Sequence, residues 1–252
     1  MTSIIDLPSN NHAERAAGAG VDTLILHHTA VPLDQSLDLL RFGTVSSHYV
    51  VDTNGDIYRL VDEALVAWHA GLSWWRDARS LNATSIGIEI VNLDGNEHAY
   101  PPAQQTAVIA LCREILGRHP SIRPRNVVAH SDIAPQRKND PGTLFFWRAL
   151  AANGVGLWSD ATASDDNLHG VQSLLRRFGY PPPHRYGRRD GRFIYVDGAD
   201  DDGISDIVEV DLAEIVIAFQ RHYRPSCVDG IADAETMARL RDLLRQAGES
   251  TD

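Results

Sequence analysis

Between residues 20 and 152 the apolar positions fall into short runs separated by polar turns, and the period within each run predicts its structure. Residues 21–27 (VDTLILH) form a compact apolar run that predicts a buried strand. Residues 46–51 and 57–61 flank the turn-forming sequence Asp52-Thr53-Asn54-Gly55-Asp56, which predicts a hairpin. In residues 86–91 (IGIEIV) the spacing is two, so Ile86, Ile88 and Ile90 share one face and Glu89 points to the other. Over residues 103–116 the period lengthens. Ala107, Val108, Leu111 and Ile115 recur at helical spacing behind Pro101-Pro102, with Gly117 placed to close the helix. Residues 127–130 (VVAH) predict another short strand, which leads into a loop bounded by Pro135 and Pro141. Strands interleaved with a helix predict an α/β domain over residues 1–152, a central mixed β-sheet flanked by helices.

Residues 153–252 read as a second, small domain of three helices. Leu168, Val171, Leu174, Leu175 and Phe178 make one apolar stripe ending at Gly179. Leu212, Ile215, Val216 and Phe219 make another. Met237, Leu240, Leu243 and Leu244 make a third behind Asp233, a suitable N-cap. The connection over residues 179–210 is long for such a bundle and rich in Pro, Gly, Arg and Asp, so it is expected as an insertion or mobile loop.

Charge and composition narrow the partners. With 34 acidic against 23 basic residues the net charge is −11, which argues against a nucleic-acid partner because phosphates would be repelled over most of the surface. No apolar run approaches the roughly 18 to 20 residues of a membrane-spanning helix. The opening MTSIIDLPSNNHAERAAG has neither the basic nor the apolar region of a secretory leader, which favours a cytoplasmic protein, with a periplasmic or exported one as the alternative. Cys112 and Cys227, the only two cysteines, are expected as inert buried thiols.

The candidate chemistry sits where apolar runs end. His27 and His28 close one run, His130 closes another, and Asp140 follows ten residues later. Two imidazoles and a carboxylate are a common protein set for catalytic zinc, leaving a fourth position for a water whose pKa falls to about 7. Eleven histidines also produce such spacings by chance, so surface or hydrogen-bonded core histidines remain an alternative at this point. Glu89 is costly if its face is dry. It is either exposed, ion-paired, or a partly buried general base. Lys138 is either a solvated loop lysine or a cation positioned to stabilise an oxyanion.

LILHHTA, SSHYVVDTNGDIYRLV, AWHAGLSWWRDARSLNATSIGIEIVN and VVAHSDIAPQRKNDPG, in that order, resemble the successive motifs of bacterial zinc N-acetylmuramoyl-L-alanine amidases of the AmpD/AmiD type. Peptidoglycan recognition proteins and phage amidase lysozymes use the same fold. The resemblance covers residues 20–150. It implies one zinc ion and hydrolysis of the amide between the lactyl group of N-acetylmuramic acid and L-alanine of the stem peptide. The motif positions imply His27, His130 and Asp140 as zinc ligands, Glu89 as the catalytic carboxylate and Lys138 as the oxyanion-stabilising cation. Where the family often carries Tyr or Asn after the first ligand, this chain has His28. Strand alternation turns His27 and His28 to opposite faces, and the place in the motif selects His27, leaving His28 among the candidate substrate contacts.

His69 of AWHAG is a substrate contact or a structural hydrogen-bonding group. Asn82 closes a loop or touches substrate. Trp68, Trp74 and Trp75 line a groove or pack the region after the hairpin. LHGVQSLLRRFGYP and AFQRHYRPSCVDGIADAETMARLRDLL are similar to the small helical peptidoglycan-binding domain of AmiD-like amidases. The resemblance therefore implies peptidoglycan or soluble (anhydro)muropeptides as partners, with wall recycling, a non-catalytic recognition module, and an exported lysin or toxin as the readings of its role.

Overall fold

In the first part of the chain the elements run β1 (Ile4–Asp6), β2 (His12–Glu14), β3 (Thr23–His28), α1 (Leu33–Phe42), β4 (Tyr49–Val51), β5 (Ile57–Arg59), β6 (Leu65–Ala67), β7 (Trp74–Trp75), β8 (Ala78–Arg79), β9 (Ser85–Ile90), α2 (Pro102–Arg118), β10 (Val127–Ala129), α3 (His130–Ile133) and α4 (Trp147–Ala152). Then come α5 (Val171–Phe178), β11 (His184–Arg189), β12 (Arg192–Val196), β13 (Ser205–Val210), α6 (Leu212–Tyr223) and α7 (Ala234–Gln246). The structure is a computed structural model that describes residues 4–135, 137–162, 170–198 and 201–251. Two compact units emerge. One comprises Met1–Gly71, Ser80–His130 and Asp140–Trp158, the other Leu72–Arg79, Ser131–Asn139 and Ser159–Asp252.

The first unit is built on a six-stranded sheet of order β1-β5-β4-β9-β3-β10. Only the β4–β5 hairpin is antiparallel, so the sheet is mixed. Period-two alternation in β3 and β9 sends Leu24, Leu26, Ile86, Ile88 and Ile90 to one face, where they pack with Ala107, Val108, Leu111, Cys112 and Ile115 of α2. Each fully buried aliphatic side chain there contributes roughly 1.5 to 3 kcal/mol. Val50 belongs to a smaller apolar cluster with Leu40, Leu60, Val61, Ala67 and Val91. His27 and Glu89 alternate with the face that packs on α2, so they belong to the opposite one.

Several boundaries differ from the sequence expectation. Helix α2 runs through Gly117 and stops at His119, whose N–H bonds the Ile115 carbonyl and extends the ladder past the glycine. Strand β10 ends at Ala129, and His130 opens a helical turn. Helix α1 was not expected, although Leu33, Leu37 and Leu40 recur at helical spacing and face the Val50 cluster. Cys112 is buried, and burial pushes its thiol up to about 12. Cys227 corrects the expectation of two buried thiols: it is half-exposed, with Sγ 3.4 Å from a carboxylate oxygen of Asp229.

In the second unit the three apolar stripes bury as α5, α6 and α7. The carboxylates of Asp211 and Asp233 cap α6 and α7, accepting from the N–H groups of Glu214 and Thr236. Leu168 lies outside the described residues. The span expected as an insertion or mobile loop forms a three-stranded antiparallel sheet of order β12-β11-β13. Its register pairs Arg189 with Arg192, leaving Asp190-Gly191 as a two-residue turn with both φ angles positive (51° and 75°). That turn matches the right-handed twist of the flanking strands. No described helix is long and apolar enough to cross a membrane.

Candidate metal centre and active site

Two adjacent strands and the turn that follows a third deliver one functional side chain each at the same level. Parallel register pairs His27 of β3 with Glu89 of β9 and pairs Leu26 with Ala129 of β10. His130 is one step beyond Ala129 and so stands level with His27. The Nδ1 atoms of His27 and His130 are 2.9 Å apart. Asp140 Oδ2 lies 3.2 Å from His27 Nδ1 and 3.1 Å from His130 Nδ1. All three residues are buried. Glu89, whose side chain keeps 14% of its surface exposed, places Oε1 4.0 Å from His27 Nδ1.

Both imidazoles are held from behind. His130 Nε2 is 3.2 Å from the Ala70 carbonyl, an acceptor only, so Nε2 carries the proton and Nδ1 keeps a lone pair. His27 Nε2 is 3.0 Å from Nδ1 of His69. The front of the site therefore gathers two imidazole nitrogens and a carboxylate oxygen, acceptors that need a cation between them. In a tetrahedral site with bonds of about 2.0 to 2.1 Å, ligand atoms sit roughly 3.3 Å apart. The observed 2.9 to 3.2 Å separations fit such an ion.

The remaining expected residues occupy varied places. His28 is half-buried and joins neither His130 nor Asp140 in the cluster. Its Nδ1 accepts from the Ala30 N–H, and burial lowers its pKa, partly offset by Asp140 and Asp94. His69 is buried. Desolvation, then the neighbouring imidazoles of His27, His48 and His130, drive its pKa well below the usual value. Its Nε2 lies 3.3 Å from Ser85 Oγ, so both ring nitrogens are engaged within the protein. Asn82 Oδ1 accepts from the N–H groups of His69 and Ala70 at 3.1 and 2.8 Å, which closes the loop before β9. Trp68 is exposed, with its backbone N–H on Ser46 Oγ.

Three expected residues belong to the second unit. Trp75 is buried edge-on against Phe178 and Tyr180. Trp74 lines a cavity of about 590 Å³ with Arg79 and His184. Lys138 lies in the stretch Ser131–Asn139 that joins His130 to Asp140, its N–H bonded to the Ala134 carbonyl.

Sequence reasoning missed Ser85 and the reason for Gly87. A Cβ on Gly87 would stand 2.4 Å from Cγ of His69, so the glycine makes room for that ring. A glycine inside an alternating strand is the signal that a close neighbour is present. It also missed a second buried cluster, in which Asp132 accepts from the Tyr180 hydroxyl and pairs with His222 Nδ1, each at 2.6 Å.

A mixed α/β sheet presenting two histidines and an aspartate to one cation, beside a partly buried carboxylate, defines a hydrolase of the metal-dependent type. The sequence profile of the N-acetylmuramoyl-L-alanine amidase family matches residues 17–143. The chain belongs to that family, enzymes that hydrolyse an amide bond. It is 39% identical to the N-acetylmuramoyl-L-alanine amidase AmiD of Escherichia coli K12 over 260 residues, covering 93% of this chain and 86% of AmiD. The structure of E. coli AmiD with anhydro-N-acetylmuramic acid-L-Ala-D-gamma-Glu-L-Lys superposes with a TM-score of 0.74 at 35% identity, covering 96% of this chain and 100% of that one. AmpDh3 of Pseudomonas aeruginosa with anhydromuramic pentapeptide also gives 0.74, at 34% identity over 90% of this chain and 92% of that one.

Proposed function

We propose that this amidase is zinc-dependent, and that it cleaves the bond between the lactyl carbonyl of N-acetylmuramic, or 1,6-anhydro-N-acetylmuramic, acid and L-alanine during cell-wall recycling. The observation that carries the zinc reading is the convergence of His27, His130 and Asp140 on one point, with Glu89 alongside. Zinc bound there would supply a Lewis acid and lower the pKa of a coordinated water to about 7. His27 and His130 would hold the ion through Nδ1, and Asp140 through its carboxylate. Glu89 accepts the proton of the attacking water and returns it to the departing alanine nitrogen. The Lys138 ammonium stabilises the oxyanion that develops on the lactyl carbonyl. Water serves as nucleophile, so neither cysteine takes part.

The second unit, whose helices α5, α6 and α7 come from residues 153–252, is proposed to hold glycan or muropeptide. Its resemblance to wall-binding modules and the Trp74 cavity support that role. His28 and Trp68 are proposed as substrate contacts at the edge of the site. A cytoplasmic recycling enzyme would favour soluble anhydromuropeptides, and a periplasmic or exported one intact wall.

Hydrolysis of a muramoyl-peptide by metal-stripped protein, with and without zinc, tests the reading. Activity should appear with zinc and vanish with a chelator. Activity that survives stripping would end the zinc proposal, and a loaded protein that binds muropeptide without cleaving it would be a recognition module. Comparing turnover of anhydromuropeptides with that of intact sacculi then separates the two substrate classes.

A further inference from the structure

The proton bookkeeping behind His27 runs in one direction only. Ser85 Oγ is 2.7 Å from the Leu81 carbonyl, which can only accept, so the hydroxyl proton is spent there. The same oxygen faces His69 Nε2 at 3.3 Å and must accept from it. A neutral His69 with its proton on Nε2 has only a lone pair on Nδ1. That atom is 3.0 Å from His27 Nε2 and so accepts from it. His27 then has its proton on Nε2 and a lone pair on Nδ1, the atom that faces His130 and Asp140. The ring of His69 is fixed in this pose by its close approach to Gly87 and by the N–H groups of residues 69 and 70 on Asn82.

We infer that His69 is a positioning residue for the metal centre: with Ser85 and the Leu81 carbonyl it fixes His27 as the Nε2–H tautomer, so that Nδ1 is committed to the metal before any ion arrives. This rests on the metal-site reading above and assigns His69 a role that does not touch substrate. Ligating imidazoles generally need such a partner, and its loss weakens metal binding by about 10- to 100-fold. Gly87 belongs to the same device, because any side chain there would push the imidazole off its line.

Nitrogen-15 NMR of the metal-free wild-type protein, at alkaline pH where imidazoles are neutral, reads the tautomers without any variant. His27 and His69 should both show Nε2–H. Either ring in the Nδ1–H form overturns the inference, whatever becomes of the amidase reading. Zinc affinity, measured by competition with a chelating dye, provides the second arm. Ser85→Ala and His69→Leu should each weaken zinc about 10- to 100-fold. His69→Asn, whose amide oxygen can take the place of Nδ1, should recover to within a few-fold of wild type. Wild-type zinc affinity in Ser85→Ala and His69→Leu would also overturn it. Failure of the wild type to bind zinc, with the tautomers as stated, would sink the metal reading instead.

Discussion

Two buried clusters in this protein use the same residue types to opposite ends. In the second unit Asp132 gives one oxygen to the Tyr180 hydroxyl and the other to His222 Nδ1, so both carboxylate oxygens face a donor. In the first unit a single oxygen of Asp140 faces the Nδ1 atoms of both His27 and His130, whose protons point backwards into the protein. The Asp132 cluster brings a proton donor to each carboxylate oxygen and ties segments distant in sequence together. The Asp140 cluster is short of protons and becomes favourable when a cation fills the deficit. Residue composition does not distinguish a metal centre from a structural network. Whether the carboxylate faces proton donors does.

The sharpest break of this contrast comes from the carboxylates. Asp140→Ala should lose bound metal and reduce hydrolysis by more than about a thousandfold, beyond the 10- to 100-fold that loss of a supporting group produces. Metal analysis of the purified variant together with a muropeptide assay reads both. Lys138→Ala should keep its metal and lose about 100- to 1000-fold in kcat, the usual effect of removing one oxyanion partner. Glu89→Gln should likewise keep metal and lose about 100- to 10,000-fold.

Asp132→Ala should act on stability instead. Two buried donors lose their acceptor, at about 1 to 3 kcal/mol each, and added zinc should not restore the denaturant midpoint. Tyr180→Phe removes one hydrogen bond and should cost only about 1 kcal/mol. If Asp132→Ala were rescued by zinc while Asp140→Ala were not metal-deficient, the assignment of the two clusters would be reversed.

A pH series offers a further test within the first unit. Burial holds His48 at a pKa of about 4, opposed by its bond to the Leu65 carbonyl and reinforced by Arg15. The unfolded chain titrates this ring near 6.5, so between those values the unfolded state carries the extra proton. The stability contributed by the neutral ring is complete above about 6.5 and is lost as pH falls to about 4, at most on the order of 3 kcal/mol. Denaturant unfolding of the wild type against His48→Asn across that window should show the difference shrinking as the pH drops.

Much of the architecture was legible because alternation and helical spacing act locally. β3, β9 and α2 followed from their isoleucine and leucine periods, and parallel register then carried His27 level with Glu89. The β11–β12 hairpin was equally encoded, in the Asp190-Gly191 turn, but arginine-rich strands hid it from a reading based on apolar content. Helix α1 was equally legible in its Leu33, Leu37 and Leu40 spacing, and was overlooked. The His69–Ser85 chain was out of reach for another reason: hydrogen-bond direction depends on atoms brought together from residues 27, 69, 81 and 85, and only Gly87 hinted at the meeting. The Asp132 cluster joins residues 48 and 90 positions apart, with no short motif to announce it.

The stretch Ser131–Asn139 leaves the first unit after one histidine of the cation site and rejoins it at the aspartate. Its anchors, Tyr180 and His222, are encoded far downstream. Genetic exchange of the C-terminal segment would therefore not be a neutral swap of accessories. A lineage that discarded residues after 158 would have to evolve a new mooring for Asp132, and a donor segment could replace the old one only by supplying an equivalent phenol and imidazole.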